Sequence, residues 1–469
     1  MKPEEAAEVA IKCAIKLTDY AEVRVRMDTS EELTYADGFA LPPRRSQSCG
    51  LAVRLWRGGW GFAATCRLEE EAIRQTVDLA RALLRPGRGT LAPPETVEAR
   101  WRGECLADPF ALPLDWKLQQ LAEIASALHG SQITASRAAF GFSKRKQLFL
   151  NSRGARIRQE SVETGYSLKA VAKGAGQVVT RSFPNCLGGG FAQAGFEFIQ
   201  RSALPREARR IAAEAAALLI APAAPKGKMD LLLAGNQLAL QLHESLGHAL
   251  ELDRVLGLEE SLSGGSFLRA ESLGKQVASP LVNVTADATA PLGVGSFGFD
   301  DEGIPAQSLP LLRAGRAVGF LSSREHNLTG ESGGAMRAAG WRDLPLIRMT
   351  NVNLEPGSQT LSQLIADIDR GLLIDTPNSW SIDPERLNFQ FGAEAGYLIK
   401  GGKIQGLVRN PSYGGTTPDF WRRCDGIARE AAWQTVPNCG KGLPVQVLRV
   451  GHKVAPARFR AVDVLGGGR

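Results

Sequence analysis

The sequence predicts an α+β fold, with an N-terminal α/β part to about residue 220 and a β-rich C-terminal domain of mostly antiparallel sheet. Three observations predict it. Before residue 220, amphipathic helical stretches alternate with period-2 strands and glycine hairpins. Beyond residue 280, short strands separated by glycine turns dominate and helices are few. Between the two lies APAAPKGK (221–228), whose prolines and small residues mark a linker. The expected organisation is therefore 1–220, with 1–98 and 99–220 as two sub-units, a linker at 221–228, and a C-terminal domain at 229–469.

Residues 3–17 read as a helix and 21–27 (AEVRVRM) as an alternating strand. A hairpin follows, 50–55 and 60–64 around Arg57-Gly58-Gly59. A helix over 68–84 carries acidic residues in its first turn, as the helix dipole prefers, and stops at Pro86-Gly87. The plan then repeats. Residues 116–129 are helical, 132–140 and 146–151 are strands, 166–172 and 177–183 form a hairpin, and 205–220 form a long helix. That repetition suggests a duplicated helix-hairpin-helix unit. His129, next to Gly130 at a helix end, complements the dipole as a surface residue. In the second half the expected strands are 281–285, 317–321, 346–352, 395–399, 404–408 and 445–450, and the clearest helix is 362–371.

A chain of 469 residues allows two or three domains with ample core. Its 44% hydrophobic and 22% charged residues are ordinary for a globular protein. No apolar run is long enough to span a membrane, so no membrane partner is expected. The first seventeen residues have no signal-peptide core, which points to the cytoplasm. Seven cysteines (Cys13, Cys49, Cys66, Cys105, Cys186, Cys424 and Cys439) are scattered without a CxxC pair, against a disulfide framework. The net charge of +7 comes from small separate groups such as Arg44-Arg45 and Arg209-Arg210. No nucleic-acid-binding motif accompanies them, so no specific nucleic-acid partner is expected.

The chemistry is concentrated in MDLLLAGNQLALQLHESLGHALELDR (229–254). Leu231, Leu232 and Leu233 read as a buried strand and Asn236 as an N-cap. Leu238, Leu242, Leu246 and Leu250 form one face of a helix. His243, Glu244 and His248 on that helix suggest a zinc site in which two imidazoles hold the ion and the carboxylate deprotonates water. His248 comes at i+5, about 140° around a regular helix from His243. A π-bulge, or unwinding at Gly247, would bring both to one ion. The alternative is one core and one surface histidine on an ordinary buried helix. Two decoys fail on context. The GxGxxG at 293–298 has no strand before it or helix after it, and neither does the GxSxG at 330–334.

HESLGHALELD (243–253) resembles the HExxxH motif of the TldD/PmbA family of metallopeptidases. GSFGFDDEGIPAQ (295–307), RMTN (348–351) followed by EPG, EAGYLIKGGKI (394–404) and NCGK (438–441) match that family's other segments in order. The likeness covers almost all of the C-terminal half and is looser around 50–65. The PmbA-like lineage lacks the metal residues, whereas this chain keeps His243, Glu244, His248 and Cys439 and so resembles the active TldD side. It departs from the family at Ala249 and Leu252, where glycines are usual, and in 379–392, which is poorer in glycine.

The resemblance implies a zinc-dependent peptidase acting on small or unfolded peptides, with one Zn2+ per active subunit. It also implies a homodimer or a heterodimer with an inactive PmbA-like homologue. Glu244 is the expected base, and His243, His248 and a third residue are the expected ligands. The candidates for that third ligand are Glu251, Asp253, His326, Cys424, Cys439 and His452. Glu251 and Asp253 would need a further bend, His326 lies in a polar loop, and His452 follows the last clear strand, where a surface imidazole is expected. Cys424 sits in a stretch that could continue as helix. Cys439 lies in a tight turn where Gly440 allows close approach and Lys441 favours thiolate, and it matches the family's NCGK segment. Asp300, Asp301, Glu302, Arg348 and Asn351 are candidate substrate-binding residues, with loop anchoring as the alternative for the three carboxylates. Two other readings are a catalytically silent PmbA-like scaffold and a basic nucleic-acid-associated protein.

Overall fold

Two long antiparallel strands, Tyr20–Ala36 and Ile133–Asn151, form the middle of the N-terminal sheet. The computed structural model that shows this describes residues 1–85, 87–259 and 264–466, so Pro86 and the last three residues of the expected C-terminal domain lie outside it. On one side of that pair come Arg44–Trp56 and Trp60–Thr65, covered by helices Pro3–Ala14 and Glu70–Ala82. On the other come Arg156–Gly174 and Gln177–Phe183, covered by helices Leu114–Ser126 and Leu204–Leu218. Each half runs helix, long strand, long strand, short strand, helix, which is the duplication the sequence suggests. Val23, Val25, Leu51 and Val53 pack on Ala6, Ala10, Ile73 and Val77 in one half. Phe140, Leu168 and Ala170 pack on Leu121, Ile124 and Ile211 in the other.

One correction concerns 132–140 and 146–151, expected as two strands. They are a single 19-residue strand. The polar run Ser143-Lys144-Arg145-Lys146 looks like a turn. Here it remains in the ladder because Lys144 pairs with Asp108 and Arg145 lies 3.7 Å from Asp28.

Strand alternation puts Val23 and Val25 against the helices and turns Glu22, Arg24 and Arg26 to the opposite face. That face is also buried, against the C-terminal half. Arg54 Nη1 donates to Glu22 Oε2 at 2.9 Å and to Glu302 Oε1 at 3.2 Å, and Arg324 Nη1 reaches Glu22 Oε1 at 3.0 Å. Asp301 accepts from Gln147 Nε2 at 2.8 Å and lies 3.5 Å from Arg24. Asp300 accepts the backbone N–H groups of Glu302, Ile304 and Met336. The three adjacent carboxylates thus point to three different sets of partners. Asp301 and Glu302 fasten one half of the chain to the other, whereas Asp300 anchors its own loop.

The C-terminal half is built on a second sheet, in the order Pro377–Ile382, Asn388–Ala393, Ser412–Thr416, Ala457–Val464, Gly227–Leu233, Arg370–Ile374, Ala395–Lys400 and Lys403–Arg409. Within this sheet only Gly227–Leu233 and Arg370–Ile374 pair in parallel, so it is mostly antiparallel as expected. The first of these strands takes in the last two residues of the expected linker. The helix expected over 362–371 is Leu361–Ala366, capped by Thr360 Oγ1 accepting from Gln363 N at 3.1 Å. It gives way to strand because Gly371 lies against the backbone of Asp230, where an added Cβ would come within 2.4 Å of the carbonyl oxygen. The strand expected at 346–352 is interrupted between Leu346–Ile347 and Val352–Leu354. In between, the Arg348 side chain bonds to the strands carrying Cys439 and Gln446, and that of Asn351 to Asp287 O and Ser296 Oγ. Cys424 belongs to strand Cys424–Ile427 and not to a helix. No described helix is long and apolar enough to cross a membrane.

Candidate metal centre

Strand Gly227–Leu233 feeds its three buried leucines into the core and hands the chain to helix Gly235–Leu242. Asn236 does not cap that helix. Its side chain bonds instead to Pro184 O, Asn185 and Gln434. After Leu242 the helix widens into a π turn, His243–Gly247, and then tightens into a 3₁₀ turn, His248–Leu250. The extra residue of a π turn restores the alignment that the i+5 spacing would lose. The two imidazoles face each other edge-on with ring centroids 4.7 Å apart. Met349 packs against the bulge: a Cβ on Gly247 would lie 2.3 Å from Met349 Sδ, so a side chain there would require Met349 to move.

The third residue arrives from a two-stranded ribbon, Ala432–Lys441 paired with Gln446–Val454. One potential ligand atom from each of His243, His248 and Cys439 lies within 4.8 Å of the other two, all three buried. Cys439 Sγ is 3.5 Å from His248 Nε2. The residue sits within a strand, next to a register shift between Val436 and Cys439, and not in the tight turn expected. The expected role of Lys441 also changes. Its ammonium is held by Glu251, Asp253 and the Ile347 carbonyl. Burial pushes the Cys439 thiol up, but Arg348 and His248 outweigh it and bring it down to about 7. Arg348 is placed for this by donating to Cys439 O at 2.6 Å and Gln446 O at 3.1 Å. Cys424, by contrast, is pushed up to about 12 by burial and stands outside the cluster.

Hydrogen bonds determine which ring nitrogens are free. His452 Nδ1 lies 2.6 Å from the Val352 carbonyl, so it carries the proton and donates. Burial holds His452 well below its usual range, so the ring is neutral and its Nε2 is an acceptor. That Nε2 is 2.9 Å from His243 Nδ1, which must therefore donate. Burial likewise brings His243 down to about 4, leaving a neutral ring with its lone pair on Nε2. His248 Nδ1 donates to Glu251 Oε2 at 3.0 Å, which leaves its Nε2 lone pair facing Cys439. Glu251 is kept ionised: burial raises it, but Lys441, His248 and Arg254 hold it well below the usual range. Two lone pairs and a readily formed thiolate thus converge. Outer partners of this kind orient the groups that hold a metal.

The surface imidazole expected at 452 is therefore wrong. His452 is fully buried, and period-2 alternation over Gln446, Leu448, Val450, His452 and Val454 carries the signal. Ending the strand at Val450 hid it. His452→Phe should fold normally yet bind zinc about 10–100-fold more weakly in a chelator competition, because His243 Nδ1 loses its acceptor. Unchanged affinity would remove His452 from the centre.

Glu244 follows His243 and is 8% exposed. Its carboxylate accepts from Arg386, which sequence reasoning missed because it lies in a distant turn. Among the other candidates, Asp300, Asp301 and Glu302 lie at the interface between the halves, and burial with Glu302 pushes Asp300 well above the usual carboxylate range. Arg348 touches the centre through Cys439. Asn351 braces loops, accepting from Gly295 N and donating to Asp287 O and Ser296 Oγ. His326 lies in a loop bonded to Ser323.

Two buried imidazoles and a readily ionised thiol are a donor set suited to a metal ion, with a carboxylate alongside. Comparison with known proteins agrees and gives the family. Three profiles match in sequence: PmbA/TldA metallopeptidase domain 1 over 21–84, the central domain over 107–221 and the C-terminal domain over 226–466. The chain belongs to the PmbA/TldD family of metallopeptidases. It is 28% identical over 422 residues to a metalloprotease of Methanothermobacter thermautotrophicus, covering 88% of each chain. It is 24% identical over 242 residues to the zinc metalloprotease TldD homolog of Saccharolobus solfataricus, covering 49% of this chain and 52% of that one. The crystal structure of TldE from Thermococcus kodakarensis has the same fold, with a TM-score of 0.75 and 18% identity over 99% of this chain and all of that one.

Proposed function

We propose that this chain is a zinc-dependent peptidase in which His243, His248 and Cys439 hold one zinc ion and Glu244 is the general base. The π turn carries the proposal, since it turns both imidazoles toward Cys439. The donor set fits zinc. Tetrahedral zinc with ordinary Zn–N and Zn–S bonds separates sulfur from nitrogen by about 3.6 Å, and Cys439 Sγ lies 3.5 Å from His248 Nε2. Three protein ligands leave one position for water, as catalytic zinc sites do. Zinc bound there would polarise that water and bring its pKa to about 7. Glu244 would take the water proton and return it to the leaving amine. His452 and Glu251 would keep the two rings neutral and oriented throughout.

The substrates proposed are small or unfolded peptides. Strand Pro377–Ile382 is one of the two edges of the C-terminal sheet, mostly exposed, and leads into the turn that carries Arg386 to Glu244. An extended peptide can add to such an edge through main-chain hydrogen bonds, with little demand on its side chains. Metal analysis of the purified protein, alongside digestion of a mixed peptide pool and a stable folded domain, tests both points. One zinc per chain, cleavage of unfolded peptides at varied sequences, survival of the folded domain, and loss of activity to a chelator with recovery on adding zinc are expected. A zinc-loaded protein that cleaves nothing would instead support the silent scaffold.

A further inference from the structure

Arg386 occupies the turn between strands Pro377–Ile382 and Asn388–Ala393, and the turn is built to deliver it inward. Its backbone is left-handed, with φ 62°, a region that side-chain-bearing residues rarely adopt. Asp383 closes the turn by accepting Leu387 N at 2.7 Å and Asn388 N at 2.9 Å. Thr417 Oγ1 donates to the Arg386 carbonyl at 2.6 Å. The side chain is 2% exposed, and Nη1 donates to Glu244 Oε2. Nε is buried with no partner among the described residues.

The other cations around the centre make their hydrogen bonds elsewhere, although Arg254 Nη2 and Arg348 Nε, like Arg386 Nε, lack a partner among the described residues. Lys441 is held by Glu251, Asp253 and Ile347 O, and Arg348 by the Cys439 and Gln446 carbonyls. Arg254 is bonded to Glu251 and Gly264 O. Arg386 alone among them, within the described residues, has its hydrogen bond on the proposed base.

That pairing has a chemical consequence. When water attacks a peptide carbonyl, the new C–O bond pushes the carbonyl π pair onto oxygen, and the water proton passes to Glu244. Glu244 becomes neutral and its attraction for the guanidinium falls in the same step that the carbonyl oxygen becomes anionic. When the C–N bond breaks, the oxygen pair re-forms the carbonyl and the amine leaves with the proton from Glu244. A cation whose carboxylate partner is neutralised as an oxyanion appears binds the transition state better than the ground state. We propose that Arg386 is a catalytic residue for this hydrolysis, its guanidinium stabilising the anionic oxygen of the tetrahedral intermediate. The proposal rests on the peptidase reading above.

The test compares zinc-loaded wild type, Arg386→Met and Arg386→Lys for zinc content, kcat, KM and binding of a phosphinic pseudopeptide that mimics the tetrahedral oxygens. Arg386→Met should keep one zinc per chain, lose about 10²–10³-fold in kcat and hold KM within about threefold. Its affinity for the phosphinate should fall by about the same factor as kcat. Arg386→Lys should recover part of both. If phosphinate affinity is unchanged and only the acid limb of the pH–kcat profile moves up, Arg386 merely tunes Glu244 and the proposal fails. Should the Met variant not fold, Arg386→Gln decides: wild-type phosphinate affinity and kcat in that uncharged variant overturn the proposal. A zinc-loaded wild type that cleaves no peptide overturns the peptidase reading and this inference together, whereas an active wild type with an equally active Arg386→Met overturns this inference alone.

Discussion

Glu244→Gln is expected to leave the fold and one zinc per chain in place while slowing peptide cleavage by about 10²–10⁴-fold. The substitution is isosteric, and the amide oxygen still accepts from Arg386 Nη1, so the contact that holds the side chain persists in neutral form. What disappears is a group that can take a proton from water. Because Glu244 is not among the three clustered ligand residues, the metal should not be disturbed. Metal analysis and cleavage rates on the same preparation give the answer. Cleavage at near the wild-type rate would mean that another group is the base.

Cys439→Ser should lose zinc, and with it activity, while Cys424→Ser keeps both. A serine hydroxyl is not deprotonated near neutral pH and is a poor partner for zinc. The loss should exceed the roughly 100-fold that removal of an outer partner costs. Cys439 lies 3.5 Å from His248 Nε2, with Arg348 pulling its thiol toward ionisation. Cys424 is equally buried, but its sulfur faces only the Gly426 carbonyl at 4.0 Å, and burial makes it a thiol. A chelator titration of both variants separates them. Zinc retained by Cys439→Ser and lost by Cys424→Ser would move the site to the other strand.

Local pattern made much of this legible. The leucine face of 238–250 and the strand at 231–233 are present, and of the alternatives that the i+5 spacing left open the widened turn is the one that forms. The duplicated N-terminal plan was visible because each half has its own apolar core and its own helices. The failures come from side chains whose environment is supplied by distant chain. The gap left between the strands expected at 132–140 and 146–151 is strand because Lys144 and Arg145 find distant ion-pair partners. His452 was lost by stopping a strand one pair too soon at Gly451. Lys441 was given to the thiolate because it is next but one in sequence, whereas Arg348, 91 residues away, does that work. Arg386 left no local signal, since it reaches Glu244 across 142 residues.

The ribbon of Ala432–Lys441 and Gln446–Val454 contributes both Cys439 and His452. Side chains on a strand alternate in direction, so a slip of one residue in its pairing would turn inward-facing groups outward. Cys439 and His452 lie on different strands of the ribbon, so a slip of one strand would turn one of them outward while the other stays in place. On the zinc-binding proposal, zinc retained by a freshly folded molecule would therefore report that both strands of the ribbon have found their register.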